Sequence, residues 1–546
     1  MYNLTRYLLS LLLLFIFLSK VICTSDFSGR HCRCLPSDVC WPSAHEWNAL
    51  NRTIHGRLLR LRPVGSVCHS EEYDKGACEA VRAGSASALW RISQPGALVA
   101  NNWATLDSSG TCFIDCPRAD PCNQGRIPHY AAMAESACDI QAAVCFARRH
   151  NLHIVIRNTG HDGTGRSSGP GSLQINTSRL KRIQFHDEFV PSGGSHSLGS
   201  AVTAGSGLLG IELLGAARTR GVNVVSGVCS SVDVTGGFLL GSGVGLLSPL
   251  HGLGSDNALQ FRVVTADGDL VVSNYIQNPD LFWALHGGGG GTFGVVVEAT
   301  IRTFPEVPAI LFTLSANLSG EFANRSIWAI TRELGTLLPD LKRRDETTSA
   351  ILATGLAADG ANLLARILFP NRTARNLEAT QAQFDHFSRR LILWACRTHP
   401  SLPRTRSSRP ISWNQGSIES LMATGGKVKA NKYIADSALL PSWRDSLLQV
   451  TIRRYLPPTS TAKTFTNNPL PRLRALESPS LGSYLNAGDP EQPGFQEAFW
   501  GGNYEKLLMV KRKWDPDRFF IVHLGVGSEG RNEEGDLLCR ADRKDL

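Results

Sequence analysis

Three stretches of this sequence hold residue types that do chemistry when brought close together. The first is Arg157-Asn158-Thr159-Gly160-His161-Asp162-Gly163-Thr164-Gly165-Arg166-Ser167-Ser168-Gly169. Its glycines let consecutive N–H groups converge, and its Ser and Thr hydroxyls add donors, a nest that suits a pyrophosphate. Gly-Lys-Ser/Thr is absent, so it is no Walker loop, and its glycine spacing is not that of the G-x-G-x-x-G dinucleotide fingerprint. A plain glycine-rich turn is the competing reading, with His161 a hydrogen-bonding loop residue. The second stretch is Gly227-Val228-Cys229, running on through Gly236-Gly237 and Gly241-Ser242-Gly243-Val244-Gly245. Cys229 stands far from the crowded cysteines, and a buried thiol or a bridge to Cys396 or Cys539 competes with a reactive role. The third is Asp280 to His286, then five glycines, Gly287 to Gly291, and Thr292-Phe293-Gly294-Val295-Val296. Such a run either admits a cofactor against the backbone or forms a flexible loop.

These stretches need elements to position them. Ser136 with Asp139 starts a capped helix whose apolar face is Ile140, Ala143, Val144 and Ala147. Leu152 to Ile156 reads as a buried strand leading into the first loop. Ile211 to Arg220 reads as a helix and Val222 to Val225 as extended chain. Leu259 to Val272 reads as two strands around an Asp-Gly turn. Between 193 and 245 there are 14 glycines in 53 residues, a density that argues against helix and for backbone packed on something flat or anionic. Ile327 to Leu338 and Arg375 to Leu393 have helical apolar spacing. Tyr504 to Trp514 reads as a helix stopped by Asp515-Pro516. Residues 24–124 look like a loop-rich leader without a sustained helical period.

The chain has 546 residues, 42% of them hydrophobic and 19% charged, enough for a full core and too apolar for disorder. The net charge of +9 is mild. The basic stretch Arg397 to Arg409 has no interleaved aromatics and no finger or helix-turn-helix pattern, so no nucleic-acid partner is expected. Arg6, the apolar run Tyr7 to Leu18, and Val21 and Cys23 before a cut at Thr24 lay out a secretory signal peptide. An uncleaved anchor is the alternative, but the run is short for a spanning helix, so no stable membrane insertion is expected. Of 14 cysteines, ten lie between Cys32 and Cys145, which in a secreted chain reads as a disulfide cluster, with zinc at Cys32-x-Cys34 or Cys112-x3-Cys116 the weaker rival. Sequons at Asn51, Asn176, Asn317, Asn324 and Asn371 are permissive for glycosylation.

In this order and spacing the three stretches resemble the flavin domain of the vanillyl-alcohol-oxidase and berberine-bridge-enzyme group of FAD-linked oxidoreductases. Within that group the texture is similar to a fungal secondary-metabolite subgroup. The resemblance covers roughly 125–305 and is carried also by Gly501-Gly502-Asn503-Tyr504 through Lys511, by Asp515-Pro516 and Phe519, and by Gln124-Gly125-Arg126-Ile127-Pro128. It implies an α+β fold: a PCMH-type two-part FAD-binding domain with an inserted α/β substrate domain. The implied division is 1–23 signal peptide, 24–124 disulfide-rich leader, 125–305 FAD-binding domain, 306–475 substrate domain and 476–546 a segment returning to the flavin site.

The resemblance further implies FAD as cofactor. Arg157, Asn158, Thr159, Gly160, His161, Asp162 and Ser167 would cradle it, with Gly236 and Gly237 behind them and Asn503 near the flavin ring. His161 would bond the flavin 8α-methyl and Cys229 its C6. With Cys229 so used and Cys23 removed, twelve cysteines remain, enough for six bridges. Tyr504 is the candidate general base; a flavin-packing tyrosine, or a glutamate of the middle domain as base, are the alternatives. The sequence departs from the group at Ser230-Ser231-Val232-Asp233, where Pro-Thr-Val-Gly is usual, at Gly241-Ser242-Gly243-Val244, where Gly-Gly-Gly-His is usual, and at His286, where Arg is usual. The implied activity is an oxygen-using oxidation of a small molecule in the secretory pathway, in particular oxidative ring closure of the ergot-alkaloid kind. An alcohol oxidase is the first alternative, and a non-catalytic secreted glycoprotein with a decayed flavin site the second. A pyridine-nucleotide dehydrogenase is disfavoured, because its fingerprint is absent.

Overall fold

In the computed structural model, residues 32–99, 112–319, 323–357, 360–372, 382, 418–423, 427–431, 436–446, 448–453 and 482–529 are described. Helix Ala137–Arg149 starts at the Ser136 cap: Ser136 accepts from the Asp139 N–H, and Asp139 accepts from the Ser136 N–H at 3.0 Å. Its apolar stripe, Ile140, Ala143, Val144 and Ala147, is fully buried.

That stripe packs on the first sheet, whose strands are β1 (Leu58–Arg60), β2 (Tyr130–Met133), β3 (His153–Arg157) and β4 (Ser172–Asn176), in the order β1-β2-β4-β3. β2, β4 and β3 run parallel. The loop from Asn158 therefore leaves the carboxyl end of a parallel strand, the edge where such sheets take ligands. The second sheet is antiparallel. It comprises β5 (Ile183–His186), β6 (Ala201–Gly205), β8 (Ala258–Val264), β9 (Leu270–Ser273) and β10 (Val295–Arg302), in the order β5-β6-β10-β8-β9. β7 (Val222–Asn223) pairs outside it with β11 (Phe304–Pro305).

A third antiparallel sheet holds β12 (Ala309–Ser319), β13 (Ser349–Ala357), β14 (Gly360–Pro370), β15 (Ile418–Ala423) and β16 (Leu448–Arg453), in the order β12-β14-β13-β15-β16. Helix Ala323–Arg344 covers one face, burying Ile327, Leu334 and Leu338 against Leu352, Leu363 and Ala365. Ile351, of opposite parity on β13, packs instead against Val244 and Leu253 of the glycine-rich region. The fold is thus α+β, and one face of the third sheet looks toward the glycine-rich stretches.

Several expectations are corrected. The loop-rich leader holds three short helices, Ala44–Thr53, Lys75–Gly84 and Ala88–Ser93, capped by Ser43, Asp74 and Ser87. At six to ten residues they are too short for a period to stand out. Within the glycine-dense stretch the expected helix does form, over Gly210–Thr219. Six bridges from twelve cysteines do not form: Cys116 and Cys138 are free thiols. Cys112, four residues from Cys116, pairs with Cys122 instead; Cys34–Cys40 and Cys68–Cys78 are closed too, and Cys32 and Cys145 are also disulfide-bonded. Asn176 is no glycan acceptor in the folded protein. It is buried on β4, and its amide nitrogen is spent on Gln174 Oε1 at 2.8 Å. Asn317 and Asn371 are exposed, whereas Asn51 Oδ1 accepts from the Leu58 N–H. The signal peptide, the basic stretch 397–409, helix 375–393 apart from residue 382, Cys396 and Cys539 lie outside the described residues, and Asn324 lies in helix Ala323–Arg344. Among the described residues no helix is long and apolar enough to cross a membrane.

Helix Tyr504–Trp514 carries the knot that ties the later chain to the glycine run. Lys511, almost fully buried, donates to Asp515 Oδ2 at 2.6 Å, to Phe520 O at 2.6 Å and to Thr292 O, so all three ammonium protons are used. Burial alone would raise the Asp515 carboxyl, but Lys511 and the N–H groups of Phe519 and Phe520 hold it below its ordinary value. A depressed carboxylate stabilises above pH ~4 and loses that contribution as pH falls through its folded value. Lys511→Met should cost about 3–5 kcal/mol in urea unfolding by stranding Asp515, and Lys511→Met with Asp515→Asn should recover most of it.

Candidate active site

The loop after β3 is shaped from within by Asp162. Its carboxylate accepts from the Thr164 N–H at 3.1 Å, the Thr164 hydroxyl at 3.0 Å and the Ser167 N–H at 2.6 Å. Asp162 therefore organises the loop through its side chain, leaving the backbone curled around it. Gly160 and Gly165 have φ of 79° and 77°, which a side chain would strain. Thr159 is buried and Ser167 partly buried. Arg157 is buried at the end of β3, and its guanidinium is given to backbone carbonyls of the leader, Arg91, Gln94 and Pro95. Desolvation lowers it to about 10, still charged at any physiological pH.

His161 and Cys229, 68 residues apart, meet at one hydroxyl. Ser231 Oγ lies 2.9 Å from His161 Nε2 and 3.3 Å from Cys229 Sγ. The thiol is free and exposed, so neither burial nor a bridge claims it. Ser231 belongs to a segment that departs from the resembled pattern, and it had no signal of its own as a connector.

Behind this pair, Asn158 joins the loop to the second stretch. Its amide donates to Asp233 Oδ1 at 3.0 Å and accepts from the Thr177 hydroxyl at 2.7 Å, while the Gly236 N–H donates to the same Asp233 oxygen at 2.5 Å. A Cβ at Gly236 would fall 1.9 Å from Asn158 Nδ2, so only glycine fits. A Cβ at Gly237 would have no neighbour within 4 Å, and one at Gly290 would stand 3.3 Å from Gly237 Cα. The Gly290 and Gly237 backbones thus pass close to one another, while the side-chain direction of Gly237 is open. The residues fit a flat, anionic cofactor of the flavin-nucleotide kind.

The later residues sort differently. Asn503 donates to Leu439 O at 2.6 Å and so ties helix Tyr504–Trp514 to the 437–439 segment. Tyr504 does not fit the role of base. Its hydroxyl donates to Glu529 Oε2 at 2.6 Å and accepts from the Gly527 N–H at 3.1 Å, while its ring lies buried between Trp500 and Phe495. Burial and Glu529 push its pKa well above the ordinary phenol value, the wrong direction for accepting a proton. His286 is a core residue: its ring sits edge-on to Phe261 and Phe282, with Nδ1 at 2.7 Å from Phe282 O.

A pair missed from sequence is Tyr484 and Asn486. Asn486 Nδ2 donates to the Tyr484 hydroxyl at 3.1 Å and to Phe238 O at 3.3 Å, and a Cβ at Gly241 would collide with Asn486 Oδ1 at 2.1 Å. The Tyr-x-Asn spacing after the proline-rich stretch was the available signal. Burial also pushes the Tyr484 hydroxyl up. With Val244, Leu253, Leu439, Trp443 and Ile351, Tyr484 makes an apolar junction between the glycine-rich stretches and the third sheet.

The comparisons with known proteins agree with this geometry. The FAD binding domain family matches residues 128–274, and the family described as berberine and berberine like matches residues 483–527. The flavin-dependent oxygenase ucdF of Aspergillus ustus is 47% identical over 542 residues, covering 91% of this chain and 99% of that protein. The FAD-linked oxidoreductase malF of Malbranchea aurantiaca is 39% identical, covering 94% of each. The VAO-type flavoprotein MtVAO615 of Myceliophthora thermophila C1 superposes with a TM-score of 0.75 at 27% identity, over 93% of this chain and all of that one. The berberine bridge enzyme of Eschscholzia californica shares the fold, with a TM-score of 0.55 at 17% identity, over 73% of this chain and 90% of that one.

Two outcomes are expected. Burial raises the Asp233 carboxyl to about 6, against hydrogen bonds from Gly236 and Asn158 that hold it down. The folded value exceeds the unfolded one, so the native state keeps the extra proton between pH ~4 and about 6, and stability falls as pH climbs through that window. Asp233→Asn should therefore stabilise the protein by about 2 kcal/mol at pH 8 and by much less at pH 4 in chemical denaturation. Tyr504→Phe should cost about 1–3 kcal/mol of stability by unpairing Glu529 and the Gly527 N–H, yet leave the rate of flavin reduction within a few fold; a fall of about 10²–10⁴ would reinstate it as the base.

Proposed function

Because the chain belongs to the FAD-linked oxidoreductases of the vanillyl-alcohol-oxidase and berberine-bridge type, we propose that it uses oxygen to oxidise a small, partly apolar molecule, with FAD bonded to His161 and Cys229. The observation that carries the covalent reading is the Ser231 hydroxyl shared by His161 and Cys229. The ring carbons C6 and C8, the latter carrying the 8α-methyl, flank a single ring carbon, so side chains that bond both must start only a few ångströms apart. When bound, the flavin supplies a hydride acceptor whose electrons pass on to oxygen.

The chain's own residues do the rest. The Asp162-organised loop holds the anionic part of the cofactor, and Asn158 with Asp233 fixes the glycine backbone behind it. The apolar junction of Val244, Trp443, Tyr484 and Ile351 receives the substrate and keeps water away, as pockets between domains commonly do. Burial pushes the Tyr484 hydroxyl there up, so it stays protonated. That favours hydride loss from a carbon next to nitrogen, where the lone pair supplies the push and no proton has to leave first. The resulting cation can be captured by a neighbouring carbon or nitrogen that then gives up its own proton to solvent, so hydride to the flavin and proton to water together balance an oxidative cyclisation of the kind found in ergot-type alkaloid formation in fungal secondary metabolism. The closed disulfides suit passage through the secretory pathway.

After acid precipitation, flavin absorbance should stay with the wild-type protein and be released only from His161→Ala, Cys229→Ala. Rapid anaerobic mixing with an N-methylated prenyl-indole amine should bleach the flavin; bleaching by simple alcohols and never by the amine would make it an alcohol oxidase. Complete release of flavin from the wild type would end the covalent reading.

A further inference from the structure

The face of the third sheet that looks toward the glycine-rich stretches has a charge pattern of its own. In an antiparallel sheet, residues directly opposite one another share a face. Arg366 of β14 stands opposite Ile351 of β13 on one side and Thr313 of β12 on the other. Two residues along β14 in either direction are Leu364, opposite Ala353 and Ser315, and Leu368, opposite Ser349 and Leu311. The reverse face is covered by helix Ala323–Arg344, and Leu352, Leu363 and Ala365 are buried there. On the near face Arg366 and Thr313 are exposed, and Leu364 and Leu368 are half-buried.

Along this face β12, β13 and β14 carry one charged residue, Arg366, and no Asp or Glu. Among the described residues nothing pairs with its guanidinium. Its neighbour Ile351 packs into the apolar junction of Val244, Trp443 and Tyr484, so the junction has a cation at its edge. That placement constrains the charge of what binds. Loss of a hydride next to nitrogen leaves a positive charge on the ligand, and a nearby guanidinium raises its energy. With no carboxylate on these strands to offset Arg366, the ligand has to bring the negative charge itself. A guanidinium is a planar fork that takes a carboxylate through two parallel N–H···O bonds, and its weak hydration suits it to a place flanked by leucines. A carboxylate, flat and singly charged, matches one such fork, whereas a phosphate dianion would be left half matched.

We infer that Arg366 binds a carboxylate of the substrate, which is therefore an amino acid and not a simple amine, its apolar part lying along Ile351, Leu364 and Leu368. The inference rests on the apolar junction receiving the substrate, as proposed above, and adds the charge that the substrate carries.

Two probes isolate that charge: the N-methylated prenyl-indole amine and its amino-acid counterpart, which differs by one carboxylate. In anaerobic mixing with the flavin-loaded full chain, the amino acid should half-saturate bleaching at a concentration about 10–100-fold below that of the amine, the worth of a hydrogen-bonded charge. Arg366→Met should erase this preference. Arg366→Lys should keep part of it, because the charge stays and the fork is lost. Arg366→Glu should reverse it in favour of the amine, an inversion that no loss of folding can produce. Equal half-saturation by the two probes in the wild type would overturn the carboxylate while leaving the amine reading in place. An equal loss for both probes in Arg366→Met, with no inversion in Arg366→Glu, would make Arg366 a structural part of the sheet and overturn its role in recognition. If neither probe bleaches the wild type and a simple alcohol does, the amine reading fails, and this inference fails with it.

Discussion

Everything at this site depends on backbones that approach without side chains between them. Gly236 lies against Asn158 and Gly241 against Asn486, contacts that no Cβ allows, and Gly290 passes so close to Gly237 that a Cβ would stand 3.3 Å from its Cα. Each joins segments distant in sequence, so peptide groups pack directly on one another or on polar side chains. Such packing costs conformational entropy at every glycine. The cost is recovered from the surrounding cores, where Phe261, Phe293, Trp500 and Leu507 are almost completely buried, and from fixed polar contacts such as Asn158 to Asp233.

The polar contacts have a common design. Each buried charge is matched by more than one partner: Arg157 by three carbonyls, Lys511 by a carboxylate and two carbonyls, Asp162 by two N–H groups and a hydroxyl. Arg444 and Asp256 do the same between the third sheet's side and the glycine-rich region, in a bidentate pair at 2.6 and 2.7 Å that Asn431 completes. A buried pair broken on one side is strongly destabilising, so these contacts set geometry more than they add net stability. The segments they fix are those that frame the candidate flavin site and the apolar junction.

Much of the fold was legible where physics is local. The Ser136 capping box, the buried strand after Asn151, the hairpin around Gly268 and the helix from Tyr504 all follow from spacing within a dozen residues. The turn after β3 was legible because clustered glycines mark backbone that side chains would strain, as Gly160 and Gly165 do at positive φ. What was not legible depended on contacts between segments. Nothing near Asn176 says that its strand is internal. Nothing near Tyr504 says that Glu529 waits for its hydroxyl, or near Arg157 that the leader's carbonyls face it. Tyr484 and Asn486 lay two residues apart in plain view, but their meaning comes from Gly241 across the fold.

The Lys511 knot has a consequence for how the protein is made. Its ammonium bonds the Thr292 carbonyl 219 residues earlier in the chain, and the third sheet is translated in between. A ribosome adding about 5–20 residues per second needs on the order of ten seconds or more to cross that interval. During it the glycine run has no partner from the later segment. The third sheet is complete in sequence before Lys511 exists, so the contact that fixes the Thr292 carbonyl is among the last to form, and until then quality control in the cell meets a glycine run not yet tied down at its end.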